Sequence, residues 1–306
     1  MATFFLQELK TFSVGKNKRK ISRATQRMQQ KARERKGNAA KRRRRKQMKP
    51  IGIIGGSGFY ELLKNPRMFV HNNKYGRSSE IFEGEIAGRK VYFLPRHGEE
   101  HKIIVPRINY RANLWAFKEL GVEQILATNC VGSSNPKIEL GSLVIPHDFC
   151  DWTRRFPRSL YDDEVEAYHV DMTPAYCPDL RKVLIDAAKQ VKPGHVHDQA
   201  VIFVNEGLRF ETPFELKMFR SLGADLIGMT TLPEAVFARE AAICYAHICV
   251  PTNWCLGEQI EADDFPRLLK QGIEDFKQVL NLAIPMLSDD RDCPCSHALD
   301  HAILKK

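Results

Sequence analysis

Four short stretches carry the side chains best suited to gripping an oxyanion. Ile51-Gly52-Ile53-Ile54 is a β-branched run that breaks into Gly55-Gly56-Ser57-Gly58. Glycines admit positive φ and let an anion reach backbone N–H groups, and Ser57 adds a hydroxyl donor. Arg96-His97 follows the apolar run Val91–Leu94, and arginine offers a planar fork for phosphate oxygens. Asn129-Cys130 follows Ile125-Leu126-Ala127-Thr128, and Thr230 follows Leu226-Ile227-Gly228-Met229. Singly, each has an ordinary reading: Arg96 on a surface carboxylate, His97 as a satisfied core histidine, Thr230 as a helix cap. Together, each following an apolar strand-like run, they favour an anion site. The two common nucleotide fingerprints fail, because G-x-G-x-x-G would need glycine at Glu61 and no G-x-x-x-x-G-K-[ST] follows.

The segments that must position these groups alternate between two periods. Strands are expected at 51–54, 90–94, 125–128, 143–145, 200–204, 226–230 and 246–250. Helices are expected at 109–120, 180–191, 214–222, 234–244 and 265–287, where apolar residues recur at helical spacing. Strands alternating with helices predict an α/β fold: a single domain with a mostly parallel central sheet covered by helices. Ligands of such sheets collect beyond the carboxyl ends of strands, where the polar and glycine residues stand. The expected division is a basic tail at 1–49, a domain at 50–287 and a C-terminal extension at 288–306.

The net charge of +10 conceals two unlike parts. Residues 1–50 hold 18 of the 47 Lys/Arg and two of the 37 Asp/Glu, a charge of +16, which leaves −6 for the rest. The tail, with Lys41-Arg42-Arg43-Arg44-Arg45-Lys46, cannot collapse, because like charges repel and little apolar surface offsets chain entropy. It could touch nucleic acid or an acidic membrane, or serve as a nuclear or organellar address. Met48 stands three residues before the first core strand, so a dispensable appendage is the plainer reading. No apolar run approaches the ~20 residues that span a bilayer, so no membrane is expected. Eight cysteines without a dense framework point to reduced thiols in a cytoplasmic setting. Cys293-Pro294-Cys295-Ser296-His297 could chelate a metal with His301, or close a local disulfide; no metal is assigned to the chemistry.

The anion stretches, with Arg96-His97-Gly98, Asn109-Tyr110-Arg111-Ala112-Asn113-Leu114-Trp115-Ala116 and Gly228-Met229-Thr230-Thr231-Leu232-Pro233-Glu234-Ala235, resemble the trimeric purine nucleoside phosphorylases, in particular the 5′-methylthioadenosine phosphorylase branch. The resemblance runs over about residues 50 to 287. It implies that phosphate sits on Ser57, Arg96, His97, Asn129, Cys130 and Thr230, with Asn129-Cys130 replacing the branch's usual Thr-Ala. It places Met229 against the ribose and Phe210 on the base or sugar, and it makes His169 the residue with which a neighbouring subunit closes the site. The family's Gly-Pro-Arg-Phe stands here as Gly207-Leu208-Arg209-Phe210, which implies a looser loop.

The same resemblance makes the base-reading positions informative. Adenine-specific members carry Thr-Asp-x-Asp where this chain has Thr252-Asn253-Trp254-Cys255. An asparagine amide can donate to a 6-oxo oxygen that an aspartate would repel, and Glu211 can accept from N1–H. Asn253 and Glu211, with Cys255 beside them, therefore suit a 6-oxopurine. As ordinary residues, they would be a turn asparagine and a helix-start carboxylate. The apolar Phe265, Leu268 and Leu269 would suit a 5′-methylthio group, although any helix buries such a face. The implied activity is that of a purine nucleoside phosphorylase in purine salvage, with phosphate as co-substrate and no cofactor, in a homotrimer or a dimer of trimers. The alternatives are a 5′-methylthioadenosine phosphorylase and, of another class, a nucleic-acid-binding protein using its basic tail.

Overall fold

A computed structural model describes residues 48–56, 62–162, 168–257, 264–300 and 302. The tail at 1–47, Ser57 and His301 lie outside the described residues. The described residues from Lys49 onward form one structural unit.

Its spine is the buried, β-branched strand β1 (Ile51–Gly55), followed by β2 (Lys64–Asn73), β3 (Gly76–Ile86) and β4 (Arg89–Pro95). Helix α1 (Tyr110–Glu119) begins where the Asn109 side chain accepts from Ala112 N–H, an N-cap that satisfies an otherwise unpaired first-turn donor. Strands β5 (Gln124–Ser133), β6 (Leu143–Val144) and β7 (Asp148–Asp151) lead to α2 (Pro178–Val191). Then come β8 (Val196–His197), β9 (Val201–Val204), α3 (Pro213–Ser221), β10 (Leu226–Gly228), α4 (Thr231–Glu240), β11 (Cys244–Trp254) and α5 (Phe265–Met286).

The sheet order is β2-β3-β4-β1-β5-β10-β9-β7, with β11 joining β5 to β6 and β8. The centre is parallel: β1 pairs in parallel with β4 and β5, and β11 with β5. The mostly parallel, helix-covered sheet expected from sequence is present. Strand β5 is its hub, bonded to β1, β10 and β11, so every later element that carries a site residue is referred to it. Apolar side chains from α1 and α4, including Phe117 and Phe237, pack on one face, and those from α2 and α5, including Leu184 and Phe276, on the other.

Several boundaries differ from the sequence reading. Strand β5 continues through Asn129 and Cys130 to Ser133 instead of ending at Thr128; these residues of low strand propensity are carried because they pair in parallel with Cys249 and Val250 of β11. Helix α4 occupies Thr231–Glu240, not 234–244, since Ala242 adopts φ 56° and breaks it. That break starts β11 at Cys244 rather than Ala246. Strands β2 and β3 form an antiparallel hairpin that the sequence did not announce, because β2 is largely exposed and lacks apolar alternation.

Candidate active site

Several of the residues expected to bind an anion converge on the middle of β5. The backbone N–H of Arg96 donates to Gly55 O (3.1 Å), which joins the end of β4 to the end of β1, where the glycine loop departs. Arg96 Nη1 donates to Thr128 O in β5 (2.9 Å). Next along β5, Asn129 Nδ2 donates to Thr230 Oγ1 (3.2 Å), and the Thr230 hydroxyl lies 3.5 Å from Asn129 Oδ1. Thr230 is the N-cap of α4 but makes no side-chain cap bond; its hydroxyl turns to β5 instead. The positive end of a ten-residue helix therefore joins the polar cluster. Arg96, Asn129, Thr230 and the Gly55 corner are thus brought together. Cys130 opens to solvent, while the protein around it pushes its thiol up to about 11 by desolvation, opposed by Arg96.

Arg96 is also engaged by a carboxylate that the sequence reading had not named as its partner. Its fork grips Glu234, with Nε–Oε1 at 2.7 Å and Nη2–Oε2 at 3.0 Å. Both side chains are almost fully buried, and Tyr245 Oη donates to Glu234 Oε2 (2.7 Å). Burial by itself would lower the guanidinium's pKa, but the Glu234 carboxylate outweighs it and the net shift is upward. Arginine has five N–H groups, so one remains on each of Nη1 and Nη2 beyond these bonds. Glu234 and Tyr245, given no role from sequence, fix the cation in place. The Pro-Glu of the family motif was the available signal.

His97 Nδ1 lies 2.8 Å from Ile103 O, and its ring stacks on His101 with centroids 4.3 Å apart. Burial pulls it down to about 4, with smaller pushes from Arg96 and His101 against the bond to Ile103. The ring is therefore neutral near pH 7, donates from Nδ1 to the carbonyl and keeps a lone pair on Nε2.

Two of the residues expected to read the base, Asn253 and Cys255, also meet. In β11 the register with β5 shifts between Pro251 and Asn253, and such an irregularity re-aims the next side chain. Asn253 Nδ2 then donates to Cys255 Sγ (3.4 Å). Gly132 of β5 makes room: a Cβ there would stand 2.1 Å from Cys255 Sγ and 3.2 Å from Asn253 Nδ2. Burial pushes the Cys255 thiol up to about 12, and the Glu211 charge adds to the rise. Asn253 and Cys255 thus meet, and the Glu211 carboxylate is near enough for its charge to act on the Cys255 thiol. Glu211 Oε1 accepts from Asn205 Nδ2, and burial raises the Glu211 carboxyl above its ordinary range. Asn205 is a second residue that sequence reading missed; it also accepts from Gly207 N–H through Oδ1 (2.8 Å).

The Gly207 loop has a well-defined seat. Gly207 takes φ 64°, and a Cβ there would come 2.8 Å from Met229 Sδ, so Met229 lies against the loop backbone. Arg209 pairs with Glu215 (2.7 Å), which also closes the capping box of α3 with Thr212. Phe210 is 60% exposed and stands at the rim. His169 is exposed, and its N–H donates to Ala302 O (2.7 Å). Phe265 is exposed and Leu268 buried.

The sequence profile of the Phosphorylase superfamily matches residues 50–285. This chain belongs to that superfamily. The phosphorylase is similar to a probable 6-oxopurine nucleoside phosphorylase of Korarchaeum cryptofilum, at 43% identity over 264 residues, covering 81% of this chain and 97% of the relative. It is also similar to a probable S-methyl-5′-thioinosine phosphorylase of Methanothermobacter thermautotrophicus, at 42% identity over 255 residues, 81% of this chain and 88% of the relative. A solved methylthioadenosine phosphorylase from an antarctic soil metagenomic library superposes with a TM-score of 0.79 at 32% identity, over 83% of this chain and 92% of that one. The family read from the sequence motifs therefore holds, and the phosphorylase is an enzyme of that superfamily.

Proposed function

We propose that the phosphorylase cleaves a 6-oxopurine nucleoside (inosine, guanosine or 5′-methylthioinosine) with inorganic phosphate, giving the free base and ribose 1-phosphate or its methylthio analogue. The observation that carries this reading is that Asn253 and Cys255, within reach of the Glu211 charge, adjoin the same strand, β5, to which Arg96 and Thr230 are bonded through Thr128 and Asn129.

Phosphate is held by Thr230, Asn129, Ser57, the residual N–H groups of Arg96 and the amino end of α4. The Cys130 backbone completes the cradle, and Nε2 of neutral His97 accepts from the protonated phosphate oxygen. Positioning the anion beneath the anomeric carbon and matching the charge of an oxocarbenium-like transition state supply most of the acceleration. The glycosidic electron pair leaves with the base as phosphate bonds to carbon. Asn253 Nδ2 has a second N–H for the purine edge, and the Glu211 oxygen not engaged by Asn205 accepts from N1–H. Met229 lies against the ribose and Phe210 covers the base. The step asks for no side-chain nucleophile, and we assign it no cofactor.

We assign a trimeric assembly, with His169 of one subunit reaching its neighbour's site. The exposed Phe210, Phe214 and Leu222 offer apolar surface of the kind subunits cover. No described helix is long and apolar enough to cross a membrane, and the free cysteines suit a cytoplasmic setting.

A panel of inosine, guanosine, 5′-methylthioinosine and 5′-methylthioadenosine, each with and without phosphate, tests the reading. Hypoxanthine or guanine release only with phosphate is expected. Faster cleavage of 5′-methylthioadenosine would favour the second reading, which the similarity to a methylthioadenosine phosphorylase supports. Light scattering of the purified chain tests the assembly.

A further inference from the structure

Far from the cleft, four cysteines meet. Cys177 precedes α2, Cys244 opens β11, and Cys293 and Cys295 come from the segment after α5. Their sulfurs all lie within 4.8 Å of one another, with Cys244 and Cys293 Sγ 3.3 Å apart. All four are free thiols, and none is more than 3% exposed. Asn253 stands at the opposite end of β11 from Cys244, roughly 30 Å away at about 3.3 Å per residue. The cluster therefore takes no part in phosphorolysis. The sequence offered His297 and His301 as possible partners of Cys293 and Cys295; His297 pairs with Asp300 at the surface (2.9 Å), His301 lies outside the described residues, and Cys177 and Cys244 join the two cysteines.

We propose that Cys177, Cys244, Cys293 and Cys295 form a tetrathiolate site that takes Zn²⁺ and staples the C-terminal extension to the body. Zinc bound by four thiolates has Zn–S bonds of about 2.3 Å, which puts tetrahedral sulfurs about 3.8 Å apart. The four side chains already converge at that scale. Soft thiolates favour zinc over magnesium or calcium, which take oxygen ligands. Each thiol still protonated releases its proton to solvent as the metal binds.

The surroundings meet the charge that results. A divalent cation on four thiolates carries −2, which would be costly in a dry site without counter-charge. Arg291 Nη1 lies 3.9 Å from Cys244 Sγ, with its Nε on Glu123 (3.1 Å). The Arg239 guanidinium, buried and bonded only to carbonyls of Asp171 and Pro174 in its described contacts, acts on Cys295. Cys177 caps the amino end of a 14-residue helix, whose partial positive charge favours thiolate.

The staple has something to hold. The segment beyond residue 285, where the family match stops, runs along the body: Arg89 Nη1 donates to Leu287 O (2.7 Å), Gln124 Nε2 to Ser288 O (2.6 Å) and Arg291 Nη1 to Ala242 O (2.9 Å). These contacts tie the segment to β4, to β5 and to the turn before β11.

The test uses the full chain purified under reducing conditions, loaded with Zn²⁺, desalted and analysed for metal. About one zinc per chain is expected. It should fall at least tenfold in Cys177→Ser and Cys295→Ser and stay unchanged in His297→Ala. If the serine variants fail to fold, mercurial titration of the wild-type chain reads the site directly, releasing one zinc as four thiols react. Co²⁺ loading should give thiolate charge-transfer bands with tetrahedral d–d absorption. A zinc-free chain after loading with all thiols titratable would overturn the proposal. So would a chain lighter by four hydrogens under those conditions, which marks two disulfides, or zinc lost with His297→Ala.

Discussion

Replacing Glu234 by Gln removes the counter-charge of Arg96 while keeping its shape. Both side chains are nearly sealed from water, Glu234 1% and Arg96 3% exposed, and the pair is bidentate. The amide turns N–H groups toward the guanidinium or toward Tyr245, whose hydroxyl lies 2.7 Å from Oε2. Breaking a buried pair on one side typically costs about 3–5 kcal/mol, because an uncompensated charge is left behind. For a body of this size that corresponds to a fall in Tm of roughly 6–20 °C. Phosphate should then matter more to the variant than to the wild type. The anion becomes the main counter-charge of Arg96, and the repulsion between phosphate and Glu234 is gone. A ligand at a hundred times its Kd stabilises by about 2.7 kcal/mol, so a tighter Kd in E234Q shows as a larger shift. The assay is thermal unfolding of both proteins in increasing phosphate, against chloride at matched ionic strength. A loss below about 1 kcal/mol, or a phosphate shift in E234Q no larger than the wild type's, would refute this view of Arg96 as a cation shared between a fixed carboxylate and a mobile anion.

Other outcomes follow from the same geometry. N253D should move the preference from 6-oxo toward 6-amino purines by roughly ten- to a hundredfold, since each mismatched buried hydrogen bond costs about 1–3 kcal/mol; kcat/KM for inosine and adenosine-type substrates reads this, and unchanged selectivity removes the base-reading argument. Gly132→Ala forces Cys255 and Asn253 to shift and should depress kcat/KM more than it lowers Tm. Because burial raises Glu211, the acid limb of kcat/KM for a 6-oxopurine should lie above the ordinary glutamate range, and E211Q should abolish that limb. His97 and His247 are pulled down from 6.5 to about 4 and about 3 by burial. The unfolded chain therefore binds more protons between those values and 6.5, and stability should fall as pH drops through that window; urea midpoints across pH 4 to 7 check it, with His97→Gln flattening part of the slope.

Much was legible because it depends on local pattern. Buried parallel strands read as unbroken apolar runs, and Ile51–Ile54 and Ile125–Thr128 could be placed without any knowledge of their neighbours. The exposed β2 strand carries no such pattern, and the hairpin it makes with β3 is held by pairing that no sequence period encodes. The same contrast runs through the site. The types of Arg96, Asn129 and Thr230 suggested an anion site, and only the family resemblance pointed Glu211 and Asn253 at a purine. That Arg96 is already engaged by Glu234, and that Asn205 holds Glu211, depends on side chains 138 and 6 residues apart.

The sequence by itself determined which groups are available and the helix–strand alternation that sends them to one end of a sheet, because residue type and hydrophobic period are local properties. Tertiary structure alone decided which charges are spoken for and which thiols meet. Cys177, Cys244, Cys293 and Cys295 span the second half of the chain, and only the return of the C-terminal segment onto the start of β11 brings their sulfurs within reach of one another. Contact between distant residues is a property of the packed chain, where burial sets both the cost of a charge and the partner that must answer it.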